Sequence, residues 1–380
     1  MNKFIPYGRQ FIDKDDIQSV EEVLRSNWLT TGPMVEFFEK EFTKYTNSKY
    51  AVALSSGTAA LHAAMYAIGI ESGDEVIVPP MTFLATANSV VYQGGRPVFS
   101  DIEPDTLLID PSLIEEKITP QTKAVAVVDY AGQPCDYDAL REIADRHNLF
   151  LVGDSCHALG SSYKGSCVGN IADMTAFSFH PVKHITTGEG GMVSTNNLEF
   201  ANRMRAFRNH GIDIDHKQRS DKGTWFYEMV DLGYNYRITD IQCALGISQL
   251  KKIDGWIKRR QEIAHCYDDA FLDCKEIKSL SVRSDVSHAY HLYVIRLNLD
   301  LLKSGRKEIF AELRSRGIGV NVHYIPVHLH PYYRKKFGTK SGLCPVAEDS
   351  YEEILSLPIF PTMSDGDVDR VVSEVMDVAT

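Results

Sequence analysis

The sequence predicts an α/β protein: a large domain built on a mainly parallel seven-stranded sheet, then a smaller C-terminal α+β domain. Three observations predict it. Seven short apolar runs alternate with amphipathic stretches from about residue 50 to about residue 208, and strands joined by crossovers of helical length form parallel sheets covered on both faces. Beyond residue 250 the alternation gives way to longer helical stretches with single strands between them. The 380 residues also exceed what one hydrophobic core commonly organises. The expected division is 1–250 for the large domain with its N-terminal helices and 251–380 for the second.

In chain order, Asp13 reads as a helix cap, and Ile17, Val20 and Leu24 recur at spacings that place one apolar face on a helix over 14–25. The segment from Asn27 to Pro33 interrupts it as a loop. Val35, Phe38 and Phe42 mark a second helix. Strands are then legible at 51–54, 75–78, 97–99, 123–128, 149–153, 175–179 and 191–194, with helices at 58–69, 82–93, 137–147 and 198–208 between them. The polar run 213–224 reads as loop. Thr239 or Asp240 caps a helical stretch over 240–272 that leads into the second domain. That domain shows a strand over 292–297, a helix near 306–316, a strand over 319–324 and a last helix from about Asp365.

The totals exclude several functions. With 40 basic and 51 acidic residues the net charge is −11, and no basic tract offsets it, which disfavours nucleic acid and anionic membranes as partners. Residues 76–95 carry no charge, but Pro79, Pro80 and several polar side chains divide them into a strand and a helix rather than a membrane span. Seven cysteines lie scattered with no Cys-x-x-Cys spacing, as in reduced cytosolic proteins. No signal-peptide core precedes Arg9, so the expected location is cytoplasmic.

The chemistry gathers around residues 172–191. An apolar strand runs into a bend opened by Pro181 and closed by Gly188, Gly190 and Gly191, and Lys183 sits on that bend between Val182 and Ile185. Partial desolvation lowers an ammonium pKa and frees the amine as a nucleophile toward a carbonyl; the plainer reading is a solvated loop lysine. Upstream, a buried strand ends in Asp154, which is either a helix cap or the partner of a protonated pyridine nitrogen. Earlier still, Ala51–Leu61 is a strand, a small-residue turn and a helix start, where backbone N–H groups with the Ser56 and Thr58 hydroxyls form a phosphate cradle. Lysine, aspartate and cradle together describe pyridoxal 5'-phosphate held as a Schiff base. A Ser/Cys-His-Asp hydrolase would have to crowd into residues 154–157 without a Gly-x-Ser-x-Gly elbow, and a dinucleotide enzyme lacks its Gly-x-Gly-x-x-Gly turn.

From about Tyr7 to the C-terminus, and most specifically in Phe-Ser-Phe-His-Pro-Val-Lys-His-Ile-Thr-Thr-Gly-Glu-Gly-Gly, the chain resembles the DegT/DnrJ/EryC1/StrS sugar aminotransferases, which have the fold-type-I architecture of pyridoxal-phosphate transferases. The resemblance implies that Lys183 holds the cofactor and moves the proton, and that Asp154 partners the ring nitrogen. It implies a stacking ring at Phe83, otherwise a core phenylalanine, and phosphate contacts at Gly57, Thr58, Ala59 and Ser178. His157 falls beside the ring, though such a histidine is often a hydrogen-bonded core residue. Asn235 falls where a neighbouring subunit reaches the phosphate, which implies a homodimer with shared sites. Tyr7, Asn27, Trp28, Leu29, Thr30, Val322, His323, Tyr324 and Ile325 match positions at the substrate; without the resemblance, 322–325 reads as an edge strand and Trp28 as packing.

Within the family the sequence is most similar to enzymes of pseudaminic acid biosynthesis, which implies transfer of the amino group of L-glutamate to C4 of a UDP-linked 4-keto-6-deoxy-N-acetylhexosamine. The alternatives are another nucleotide-linked 4-ketosugar, such as UDP-4-keto-pentose, or the sugar dehydratases, which have histidine in place of the cofactor lysine; here the segment reads Lys183-His184.

Overall fold

The structure, a computed structural model, describes residues 4–214, 219, 221 and 223–379. Its centre is a seven-stranded sheet in the order β1-β9-β8-β5-β4-β2-β3. The strands are β1 (Tyr50–Leu54), β2 (Glu75–Val78), β3 (Arg96–Phe99), β4 (Thr122–Val128), β5 (Phe150–Asp154), β8 (Met174–Ser178) and β9 (Gly191–Thr195). Only β9 runs against its neighbours β1 and β8; the other pairs are parallel. Six carboxyl ends therefore share one edge, where open α/β sheets bind ligands.

Alternate side chains of the strands enter different cores. Val52 and Leu54 join one apolar cluster and Ala51 and Ala53 another, as the two-residue repeat of a strand requires. The first cluster is completed by α3 (Gly57–Ala67), α4 (Leu84–Tyr92), α5 (Tyr137–His147) and α6 (Leu198–Phe207). The second takes Phe38 and Phe42 of α2 (Pro33–Thr46) with Cys243, Ile247 and Leu250 of α7 (Asp240–Leu250). The sheet is thus covered on both sides, which is why its strands read as continuous apolar runs.

Helix α1 (Lys14–Leu24) forms where expected and begins at Asp13, which forms a reciprocal capping box with Asp16. Its roll differs from the expectation. Ile17 and Leu24 remain 60% and 56% exposed, while Asp16 and Val23 are buried. Asp16 decides this: its carboxylate meets Lys252 at 2.8 Å and Gln249 at 2.7 Å, and a buried carboxylate without partners would cost more than two exposed aliphatic side chains. Helix α2 has Pro33 at its start and no cap of its own; the Asp240 carboxylate accepts from Gly32 and Met34 at 2.8 and 2.9 Å. Thr239, in a capping box with Gln242, starts α7.

The expected helix over 240–272 is two helices, α7 and α8 (Ile253–Phe271), broken at Lys251–Lys252, where Lys252 turns to bind Asp13 and Asp16. Beyond them, β10 (Ile277–Ser279), β12 (Tyr293–Leu297) and β13 (Ile354–Leu357) form an antiparallel sheet in the order β10-β12-β13. It packs with α8, α9 (Arg306–Ser315) and α12 (Asp365–Ala379) around a further apolar core that also holds Ile5. Two short helices, α10 (Pro331–Phe337) and α11 (Pro345–Glu353), and a small sheet of β6 (Ser162–Tyr163), β7 (Ser166–Cys167) and β11 (Val286–Ser287) complete the described chain.

The strand expected over 319–324 does not form. One bridge, Asn321 to Ser356, is all it shares with β13. Its backbone N–H groups are used elsewhere: Gly319 donates to Ile5 O, Val322 to the Asn321 side chain and Tyr324 to Met81 Sδ. The polar run 213–224 lies partly outside the described residues. Among the described residues, no helix is long and apolar enough to cross a membrane, and no cluster of His, Cys, Asp and Glu could hold a metal ion.

Candidate active site

A cleft of about 550 Å³ opens at the carboxyl edge of the sheet. Four connections build it: β1 into α3, β2 into α4, the turn after β5, and the loop after β8. That loop closes on itself, with Phe179 N donating to Gly190 O at 2.8 Å and Thr187 N to Phe179 O at 3.1 Å. Gly191 is forced, because a Cβ there would lie 2.3 Å from Ser56 O. The predicted bend is therefore real, and Lys183 projects from it into the cleft.

The Lys183 amine meets His291 Nε2 at 3.3 Å. No carboxylate lies within ion-pair distance of it among the described residues. Burial lowers its pKa, opposed by the negative charges available at Cys156 and Asp154. Asp154 ends β5 with no helix after it, so the helix-cap reading does not apply. Its Oδ2 accepts from Thr86 at 2.6 Å and its Oδ1 from the Cys156 N–H at 3.2 Å.

The surrounding imidazoles are held neutral. His157 lies well below the usual histidine range, first through burial and then through the Lys183 charge; its Nε2 meets Tyr324 Oη at 3.1 Å. Burial pushes His323 down to about 3, and its ring is fixed by Ser356 at 2.8 Å and Asn321 at 3.2 Å. Tyr324 and Tyr7 are both raised by burial. His184 takes no part in the cleft wall: its Nε2 is tied to Ala289 O at 3.1 Å.

Of the residues singled out in the sequence, Tyr7, Gly57, Thr58, Phe83, Asp154, His157, Ser178, Lys183, Val322, His323 and Tyr324 line this one cleft. Phe83 is not a core residue; it is 57% exposed at the start of α4, with its ring 6.0 Å from that of Tyr324. Ala59 is buried inside α3, and Ile325, an exposed residue, is not part of the cleft wall. Asn27, Trp28, Leu29 and Thr30 lie outside it, packed on the start of α7 through Leu29 O and a Thr30–Thr239 bridge. Asn235 is exposed and bridged to Asn209, also outside. Sequence reasoning missed His291 and Thr86. Thr86 stands one turn after Phe83 and could have been found from that spacing; nothing near His291 marks it.

Pyridoxal 5'-phosphate fits these residues. The first N–H groups of α3 have no intrahelical acceptor, and they sit against Ser178 so closely that a Cβ on Gly57 would lie 2.8 Å from the serine Cβ. His157 Nδ1 is buried in the cleft wall with no hydrogen-bond partner. Among the described residues the lysine amine pairs with no carboxylate, and the nearby carboxylate that could serve a cationic nitrogen is held by Thr86 and Cys156.

Comparison with known proteins gives the family. Residues 10–376 match the model of the DegT/DnrJ/EryC1/StrS aminotransferase family. The chain is 46% identical over 381 residues to the spore coat polysaccharide biosynthesis protein SpsC of Bacillus subtilis, covering 99% of this chain and 97% of that protein. It is 45% identical to an uncharacterised protein of Methanocaldococcus jannaschii, covering 99% and 98%. Among solved structures it superposes with a TM-score of 0.92 and 34% identity on Helicobacter pylori PseC, described as an aminotransferase involved in the biosynthesis of pseudoaminic acid, covering 99% of each chain. The same TM-score, identity and coverage hold for the pyridoxamine-phosphate form of a putative sugar aminotransferase from Streptococcus pneumoniae.

Proposed function

The chain belongs to the DegT/DnrJ/EryC1/StrS aminotransferase family, and from that premise we propose that it transfers the amino group of L-glutamate to C4 of a UDP-linked 4-keto-6-deoxy-N-acetylhexosamine. It is a sugar aminotransferase of fold type I, and its cofactor is pyridoxal 5'-phosphate. The observation that carries the reading is Lys183: a buried amine, in ion-pair contact with no carboxylate among the described residues, in one cleft with Asp154 and the α3 start.

When bound, the cofactor supplies a carbonyl that accepts amines and a ring that withdraws electrons from the carbon being deprotonated. The protein's own groups do the rest. The α3 N–H groups of Gly57 and Thr58, with the Ser178 hydroxyl, would hold the phosphate. The Phe83 ring offers a stacking face. Asp154 would keep the pyridine nitrogen protonated. Lys183, with its pKa lowered, would hold the cofactor covalently, and as a free amine it would move the proton at the substrate carbon. His157 and Tyr324, both neutral, bind by hydrogen bonds without adding charge.

The sugar assignment draws on the resemblance and on the solved relative from Helicobacter pylori, with Tyr7, Val322, His323 and Tyr324 on the wall of the cleft as its supports. The alternative is another nucleotide-linked 4-ketosugar, such as UDP-4-keto-pentose; one observation bears on it, that a relative of spore coat polysaccharide biosynthesis, at 46%, is nearer in sequence than the pseudoaminic acid enzyme at 34%. A dehydratase reading finds little support, because the histidine beside Lys183 is tied to a backbone carbonyl. A panel of enzymatically made 4-ketosugar nucleotides with glutamate, read by mass spectrometry, tests the assignment. Preference for the pentose or for a dTDP-sugar would overturn the hexosamine and leave the aminotransfer standing.

We propose that the working form is a cytoplasmic homodimer with shared sites. Trp225, Met229, Val230 and Leu232 lie on one exposed stretch, Trp225 at 85% exposure, and such a surface is characteristic of an interface. Asn235 follows directly in that stretch. None of the seven cysteines is paired, which suits a reducing compartment.

A further inference from the structure

His291 belongs to a segment far from the lysine in sequence. It follows Lys183 by 108 residues, yet its Nε2 stands 3.3 Å from the Lys183 amine. The ring is 5% exposed, and its Nδ1 is buried without a hydrogen-bond partner. Buried side-chain nitrogens placed for packing are generally hydrogen-bonded; among the described residues, the one hydrogen bond this ring makes is to the lysine.

The backbone that carries the ring is pinned from several sides. Arg260 of α8 is buried, and its Nη1 donates to the carbonyls of Tyr290 at 3.1 Å, His291 at 3.4 Å and Ile359 at 2.9 Å. No carboxylate meets this guanidinium among the described residues, so backbone carbonyls alone offset its burial. Ala289 N donates to Gly132 O and Leu292 N to Ala131 O, both at 3.1 Å. Gly132 has φ +105°, and a Cβ there would lie 3.0 Å or less from Tyr290 N and His291 N. Tyr290 itself has φ +48°. Left-handed backbone at a non-glycine residue, held by so many contacts, is characteristic of functional sites.

We infer that His291 is a positioning residue for Lys183: its Nε2 holds the Nζ amine in the cleft whenever the lysine is not covalently engaged. The inference deepens the aminotransferase reading and rests on it for its purpose. A lysine that has been displaced must stay over the reacting carbon through the proton transfer. A neutral imidazole can hold the amine without the ion pair that would keep it protonated. Asp154, Cys156 and His157 from the β5 turn, His184 from the lysine loop, His323 and Arg260 are other titratable groups around the pair. Among them only His291 is hydrogen-bonded to Nζ.

The test uses the full-length chain freed of cofactor. The rate at which Lys183 reacts with a trace acylating reagent is followed against pH by peptide mass spectrometry, for wild type, H291Q, H291N and H291L. The glutamine amide reaches the place of Nε2, the asparagine amide only that of Nδ1, and leucine neither. An acceptor stabilises an ammonium more than an amine, so its loss moves the wild-type curve to lower pH. The expected shift is about one pH unit for H291N and H291L, a tenfold change in the neutral fraction on the acid side. H291Q should stay on the wild-type curve. Four coincident curves, or asparagine and glutamine shifting alike, would overturn the assignment. The two amides keep the position polar should H291L fail to fold. The measurement needs no turnover, so a wrong sugar or even a wrong reaction leaves its outcome readable.

Discussion

Replacing Thr86 by valine isolates what the fold does for Asp154. Thr86 is fully buried; its hydroxyl donates to Asp154 Oδ2 at 2.6 Å and shares a 2.7 Å hydrogen bond with Thr82. Valine has the same shape without the hydroxyl, so no cavity opens and the loss is purely polar. A hydrogen bond to a charged group contributes about 1.5–3 kcal/mol, which corresponds to roughly 10- to 150-fold in an equilibrium constant. Part of that loss falls equally on the empty and loaded chains, since the carboxylate needs a donor in both. Only the share spent on aiming Oδ2 reaches the cofactor's Kd. The expectation is therefore about tenfold weaker binding, with about 10²-fold as the ceiling. Titration of the stripped chain with pyridoxal 5'-phosphate, followed by fluorescence, measures it. T86S keeps the hydroxyl and should bind as wild type. If T86V also binds as wild type, Asp154 is aimed by the Cys156 N–H alone or does not meet the cofactor.

Lys183→Ala should abolish turnover while leaving the fold and part of the cofactor affinity intact, since the α3 start, Ser178 and Phe83 are untouched; borohydride reduction of the wild type should fix the cofactor to Lys183, and its appearance on another lysine would end the reading. Acid should unfold the chain through its histidines. Burial lowers His62 to about 4 and His288 and His323 to about 3. The unfolded chain therefore takes up protons near the ordinary histidine pKa that the folded chain refuses. Stability is full above about pH 6.5 and falls by about 2 kcal/mol per group by about pH 5. Urea midpoints across that range check it, and a flat profile would contradict the neutral burial of these rings. For the shared site, inactive Lys183→Ala chains mixed with inactive Asn235→Ala chains should regain activity through hybrid dimers. An active monomer in sedimentation would refute the sharing.

Much of the seven-stranded sheet was legible because its inner parallel strands are buried on both faces. A run such as Ala124–Val128 then admits few readings, and the crossovers supply the helices. The failures have a common cause in partners distant in sequence. Ile17, Val20 and Leu24 of α1 have the right period, yet a carboxylate on the neighbouring face, paired with Lys252, turns Ile17 and Leu24 outward. Residues 319–324 have the composition of a strand, but Ile5, from the other end of the chain, takes the backbone hydrogen bond of Gly319. Periodicity records which face is apolar; it does not record which polar group the rest of the chain has a partner for.

The site divides along the same line. Asp154, Gly57 and Ser178 could be read because each ends a strand or starts a helix, and Lys183 because it stands on the bend that follows β8; the parallel sheet carries all such places to one edge. His291 could not, since its place depends on Arg260, Gly132 and the φ of Tyr290, none of which leaves a mark in the residues around it. The contrast has a chemical side. The groups that form or break bonds here stand on strand ends and on the short connections that follow them, where a small error in placement is costly. A group that holds the lysine amine between such steps can come from another core, provided its backbone is fixed there. That division puts the chemistry of this chain on the large sheet and the control of its nucleophile on the segment leading into β12, where Arg260 binds the carbonyls that set the position of His291.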